Sequence, residues 1–268
     1  LNTDTEKLLE ELTAQYDGFC FERATKKRVF APWSLLNFLS DPESGFINYW
    51  FGSGGRPTAL LQYLKSHTLK NPEEYGKQQS IALSTLTDSA DVDSLSDVGL
   101  LTQAGYLTLK KIVGTTAYLG YPNEEVRISM AHLYTECLLA GRTVEQVGAD
   151  NIAYRLANEN TESVFHLLNR LFASIDYQHY PVKDEYSLRA FVQVFFSGAG
   201  LTPMVEHHNF KGRSDLEVKV GNRYWVMEFK YCREGEPCED LLREALEQLQ
   251  EREYGMQIET EELIRIAL

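Results

Sequence analysis

Two alternating runs joined by Gly221-Asn222 constrain this chain more than any other segment. The first runs from Arg213 to Val220 and the second from Arg223 to Lys230. Alternation flanking a Gly-Asn pair predicts a β-hairpin with a two-residue turn. Pairing Val220 with Arg223 and counting outward sets Asp215 directly opposite Glu228. Opposed residues on a ladder have Cβ atoms about 4.5–5.5 Å apart. The period of two keeps Lys230 on the same face, while Leu216, Val218, Trp225, Met227 and Phe229 line the other as the candidate core side.

Two carboxylates held face to face repel unless something offsets their charge. A divalent cation does this, and hard oxygen ligands suit Mg²⁺ or Mn²⁺. A lysine beside the pair orients a water or stabilises charge building on a phosphate. The alternative is a surface hairpin with a solvated polar face and no chemistry.

The segments Gly212-Arg213-Ser214-Asp215 and Val226-Met227-Glu228-Phe229-Lys230 resemble the core of the PD-(D/E)XK nuclease superfamily, in particular a branch fused to an AAA-ATPase-like domain. Asp184-Glu185-Tyr186-Ser187-Leu188 resembles that branch's helix glutamate segment, and Glu244-Ala245-Leu246-Glu247-Gln248-Leu249 its Ala-Leu-x-Gln signature. One position departs: Ser214 stands where the superfamily has proline. The resemblance implies helix, strand, strand, helix in that order. It also implies a metal held by Asp215, Glu228 and Glu185, with Lys230 and Gln248 completing the catalytic set and no organic cofactor.

The residues themselves support the flanking helices. Leu188, Phe191, Val192 and Phe195 follow Glu185 at helical spacing. An acidic residue in a first helical turn also simply favours the helix dipole, which is the plain reading of Glu185. Leu241, Leu242, Ala245, Leu246 and Leu249 form a second apolar face, with Gly255 as the expected stop. Gln248 lies at its edge, where an amide ordinarily satisfies neighbouring backbone.

The N-terminal half reads as mostly helical. Pro32 opens one helix, Thr58 is expected to cap another, and Pro122-Asn123 open a third that Gly141 ends. Tyr106–Val113, the Gly114-Thr115 turn and Ala117–Leu119 predict a hairpin between helices, a winged-helix-like order. Tyr16-Asp17-Gly18-Phe19, Pro32–Asn37, Asn48-Tyr49-Trp50-Phe51, Gln103–Thr108 and Gly120–Arg127 resemble the C-terminal end of the same AAA-ATPase-like domain. Packing is the plain reading of the aromatic motifs. Phosphate-cradling loops need Gly-x-x-x-x-Gly-Lys-[Ser/Thr], whereas Gly52–Thr58 lacks the lysine and carries Pro57. ATP is therefore not expected to bind here.

With 268 residues, 43% hydrophobic and 24% charged, the chain is globular and long enough for two domains. No apolar run approaches the roughly 18 residues of a transmembrane span. Leu1 at the start, without a signal-like segment, suggests a fragment, and Glu262–Leu268 reads as a strand cut short. Cys20, Cys137, Cys232 and Cys238 lack zinc-site spacing and are expected as reduced thiols of a cytoplasmic, bacterial protein. His207 and His208 point to opposite faces if extended and are expected at a rim. The net charge of −13 argues against non-specific grip on nucleic acid, although Lys183, Arg189, Lys211, Arg213, Lys219 and Arg223 would supply a local basic patch.

The expected class is α+β: residues 1–145 a helical, winged-helix-like, lid-like module without a P-loop, and 146–268 an α/β restriction-endonuclease-like domain with a mixed sheet. The expected function is Mg²⁺- or Mn²⁺-dependent phosphodiester hydrolysis, with DNA the favoured partner, no membrane, and homo-oligomerisation left open. The alternative is a non-catalytic interaction module of a mobile-element, toxin or defence system that keeps the scaffold.

Overall fold

The computed structural model describes the chain except residues 1, 65–66, 88–95, 210–211, 234 and 252–261, and except the side chains of 2–4, 59, 87, 207–209 and 212. Two compact units emerge, Leu1–Tyr134 and Thr135–Leu268. Both are mixtures of helix and strand, and no helix among the described residues is long and apolar enough to cross a membrane.

The first unit carries α1 (Asn2–Tyr16), α2 (Pro32–Ser40), α3 (Thr58–Tyr63), α4 (Pro72–Gly76), β1 (Gln79–Ala82), α5 (Leu83–Thr87), α6 (Asp97–Gln103), β2 (Thr108–Val113), β3 (Thr116–Gly120) and most of α7 (Glu124–Leu138). Pro32 begins α2, where its missing N–H costs nothing. Thr58 does not cap α3. Pro57 holds the cap position at φ −65°, and Thr58 becomes the first helical residue with no capping hydrogen bond. The β2–β3 hairpin forms as expected, and the short β1 adds to it an edge that the sequence did not announce, giving the order β1-β3-β2. Trp50 is buried against Phe19 and Tyr106, with ring centroids 5.8 Å away in each case, so this part of the Asn48–Phe51 motif is core. The fully buried Glu125 accepts from Ser34 Oγ at 2.8 Å and from the Tyr49 N–H at 2.7 Å, tying α7 to that motif.

The second unit contains α8 (Ile152–Asn158), α9 (Thr161–Ala173), α10 (Glu185–Gly198), β4 (Met204–Asn209), β5 (Gly212–Val220), β6 (Arg223–Glu228), α11 (Cys238–Glu251) and β7 (Glu262–Ala267). Its sheet runs β4-β5-β6-β7, antiparallel through β6 and parallel at β6–β7. Glu262–Ala267 is thus a strand, as its sequence predicts, and it reaches β6 through the α11 crossover.

Helices cover both faces of this sheet. On one face Leu216, Val218, Trp225 and Met227 are fully buried, and the Trp225 indole N–H donates to the Leu156 carbonyl of α8 at 3.0 Å. On the other, Tyr224 and Val226 pack with Leu249 of α11 and with Leu263 and Ala267 of β7. The face expected to be polar is therefore half core, because α11 lies over it. The buried stripe of α11 is narrower than its sequence suggests: Ala245 and Leu249 are buried, whereas Leu242 and Leu246 are exposed. The expected stop at Gly255 lies outside the described residues.

Candidate active site

Gly221 takes φ +59°, the positive value a primed two-residue hairpin turn needs at its first central position. The ladder then runs Val220↔Arg223 through Leu216↔Met227, the register that the turn predicts. One step beyond Leu216↔Met227, Asp215 and Glu228 stand at the open end of the hairpin. By alternation both fall at positions of the face that carries Glu217 and Tyr224.

Backbone groups fix the ends of the two strands. Asp215 Oδ2 accepts from the Phe229 N–H at 2.9 Å, so one of its oxygens is committed to the facing strand. Glu228 closes β6 and is 2% exposed. Its carbonyl accepts from the Leu268 N–H at 2.9 Å, and the Leu268 carbonyl accepts from the Lys230 N–H at 2.8 Å. Lys230 is thereby held beside Glu228 by the end of the parallel strand. Tyr231 adds a 3.4 Å hydrogen bond to the Val182 carbonyl, joining this segment to the approach of α10.

Glu185 is the first residue of α10 and is exposed. Asp184 caps the helix through a reciprocal capping box with Ser187, so the local sequence fixes the helix start. It is Arg189, one turn beyond Glu185, that reaches the hairpin: its Nη1 lies 4.0 Å from Asp215 Oδ1. Gln248 sits half-buried on α11 beside Leu249. The structure therefore brings Asp215, Glu228 and Lys230 to one end of the hairpin and places Glu185 and Gln248 on its two flanking helices. Among the described residues no group of three or more His, Cys, Asp or Glu is gathered as a ligand set.

Three residues that the sequence reading passed over belong to this neighbourhood. Glu217, on the same face as Asp215 and 2% exposed, accepts from Ser214 Oγ at 2.6 Å and from Tyr224 OH at 2.5 Å. Burial and the Glu217 carboxylate push the Tyr224 hydroxyl well above the usual tyrosine range. The serine that replaces a proline before Asp215 thus supplies a donor to a buried carboxylate. Glu206 on β4 pairs with Arg189 at 3.2 Å and with Arg213 at 3.1 Å. The clue available in sequence was an acidic residue two strands from the hairpin turn; its register was not available.

Of the expected basic patch, Arg223 serves the fold instead. It pairs with Glu262 at 2.7 Å and donates to the Leu156 and Glu159 carbonyls. Lys211 lies outside the described residues, as do the side chains of His207 and His208 on β4. The cysteine expectation is overturned at one pair. Cys232 and Cys238 form a disulfide, their Cα atoms 5.5 Å apart, because the bend after Lys230 returns to the first residue of α11. Cys20 and Cys137 are free, and burial pushes the Cys137 thiol up to about 11.

Over 256 residues the chain is 29% identical to the uncharacterized protein in the vnfD 5′ region of Azotobacter chroococcum mcd 1, an alignment spanning 92% of this chain and 46% of that protein. The chain thus spans about half the length of that relative. No solved structure matches the chain. The mixed α and β architecture described above is consistent with a PD-(D/E)XK nuclease fold. Residues 183–268, which hold α10, the whole β4–β7 sheet and α11, match the family model of the PD-(D/E)XK nuclease superfamily.

Proposed function

We propose that the second unit is a divalent-metal-dependent nuclease that hydrolyses phosphodiester bonds, with DNA as its favoured substrate. The observation that supports this reading is the hairpin register, which brings Asp215 and Glu228 to its open end with Lys230 tethered beside Glu228, inside the segment matched to the nuclease superfamily.

The donor set fits Mg²⁺ or Mn²⁺. Asp215 keeps Oδ1 outside hydrogen-bond range of Arg189, and Glu228 supplies a second hard oxygen donor. Two carboxylates suffice, since Mg²⁺ binds through one or two of them and fills the rest of its shell with water and phosphate oxygens. When bound, the ion lowers the pKa of a coordinated water and polarises the phosphoryl group. Asp215 and Glu228 would hold the ion, Glu185 on the flanking helix would support the metal or a water, Lys230 would position the attacking water, and Gln248 would complete the set. The first unit, with its β1-β3-β2 sheet between helices, is read as the winged-helix-like, lid-like module of an AAA-ATPase-like domain.

The alternative is a non-catalytic module that keeps the nuclease scaffold. The cationic Arg189 near Asp215 favours it, because a guanidinium also neutralises that carboxylate. Asp215→Asn separates the two readings. The amide preserves an acceptor for the Phe229 N–H and removes one of two opposed charges, so the metal-free variant should melt no lower than wild type. Mn²⁺ should raise the wild-type melting temperature and leave the variant nearly unmoved, and cleavage of plasmid DNA should fall by orders of magnitude. Equal Mn²⁺ shifts in the two proteins would remove the metal site.

A further inference from the structure

We infer that Glu206 is a positioning residue that holds the Arg189 guanidinium off Asp215, so that Asp215 keeps a carboxylate oxygen for a divalent cation. The inference rests on the nuclease reading above and deepens it.

Arg189 carries its charge on a side chain only 9% exposed, so the guanidinium needs an anion beside it. Among the described residues two carboxylates are within reach: Glu206 Oε1 at 3.2 Å and Asp215 Oδ1 at 4.0 Å. The ladder pairs Val205 with Leu216 and His207 with Ser214, so Glu206 and Asp215 occupy the step between those two pairs. Glu206 therefore stands beside Asp215 on one flank as Glu228 does on the other, and the arginine is drawn to the Glu206 side. Tyr186 holds the guanidinium from another direction, its ring 5.2 Å from the Arg189 Cζ.

Two further features point to the charge of Glu206. Its backbone is left-handed, φ +53°, a conformation disfavoured for any residue with a Cβ and free of cost for glycine. Its second oxygen, Oε2, is taken by Arg213 at 3.1 Å, so the carboxylate faces two cations and is fixed at both ends.

Without that carboxylate the buried guanidinium has, among the described residues, one remaining anion, Asp215. Guanidinium–carboxylate pairs close readily into two parallel hydrogen bonds. Such a pair would occupy Oδ1, and with Oδ2 already bound to the Phe229 N–H, an incoming cation would have to displace an arginine. Glu206 removes that competition.

The test is Mn²⁺ affinity of the full chain, read by calorimetry, with metal-free melting curves as the folding control. Glu206→Gln should weaken Mn²⁺ binding by about 10- to 100-fold, the size of effect typical when a partner of a ligand is lost. Glu206→Asn, which tolerates the left-handed backbone, should weaken it equally, separating the charge from the strain. Arg189→Met keeps the apolar stem and removes the competitor, so alone it should bind at least as tightly as wild type. Combined with Glu206→Gln, it should restore binding. Unchanged affinity in Glu206→Gln overturns the inference. So does a double variant as weak as Glu206→Gln, which would make Glu206 a ligand in its own right. A wild-type chain that binds no Mn²⁺ removes the nuclease reading itself and the inference with it.

Discussion

At the scale of single residues, the neighbourhood of Asp215 mixes groups that the local sequence announces with groups that only the fold supplies. Asp184, met in the sequence only as part of a resembling segment, caps α10. An acidic residue three positions before Ser187 at the head of an apolar run is a helix start, and the structure shows both halves of the capping box. The hydrogen bond from the Ser187 N–H, with the hydroxyl of Ser187 and the charge of Lys183 behind it, holds the Asp184 carboxyl below the usual aspartate range. A lowered folded pKa contributes stability above the unfolded value and loses it as pH falls through the lowered one. Asp184→Ala should therefore cost about 1 kcal/mol at neutral pH. That difference should shrink steadily below about pH 4 as the wild-type cap is protonated. Urea denaturation of both proteins across that range checks it, and a pH-independent difference would contradict the charged cap. Glu206 was not announced, because neither its left-handed backbone nor its place beside Asp215 follows from neighbours in sequence.

Elements were legible in proportion to how local their causes are. The β5–β6 hairpin follows from a two-residue turn and two alternating runs, and its register is the one the turn dictates. A Cβ on Gly221 would meet only the Ala157 Cβ at 3.9 Å, so space is not what requires glycine there; φ +59° is. Gly221→Ala should accordingly cost about 1 kcal/mol through the backbone alone. The far-ultraviolet spectrum should stay unchanged, and a chemical-denaturation midpoint equal to wild type would show that the turn relaxes. Helix α10 shows the limit in the other direction. The sequence displays a stripe, but Arg189–Gly198 are all buried, because the sheet and neighbouring helices enclose more than one face. The four-residue β1 had no pattern long enough to read. The α3 cap was misread because Pro57 already occupies the position that Thr58 was expected to fill.

For the whole molecule, composition bounded the chain, and motifs with their spacing separated its halves. The border between the two compact units falls after Tyr134, within α7, where no change of composition marks it. The disulfide could not be read from spacing, since it depends on the bend between β6 and α11 that brings Cys232 back to Cys238. The glycine-rich stretch Gly52–Thr58 lacks the Gly-Lys-[Ser/Thr] of a phosphate-cradling loop, and Pro57 in it has no amide donor. Calorimetric titration of the chain with ATP should show no binding at micromolar affinity, and a measurable isotherm would remove the lid-like reading.

The parallel pairing of β7 with β6 sets an order of events during folding. Asp215 and Glu228 meet as soon as the hairpin closes, because a two-residue turn brings together positions thirteen residues apart. Such closures take about 1–10 μs in isolated hairpins. The Lys230 amide instead waits for Leu268, thirty-eight residues along the chain and on the far side of α11. Loop-closure entropy places that pairing later than the hairpin. The two like charges are thus brought together first, and the cation beside them is fastened only when the last strand docks.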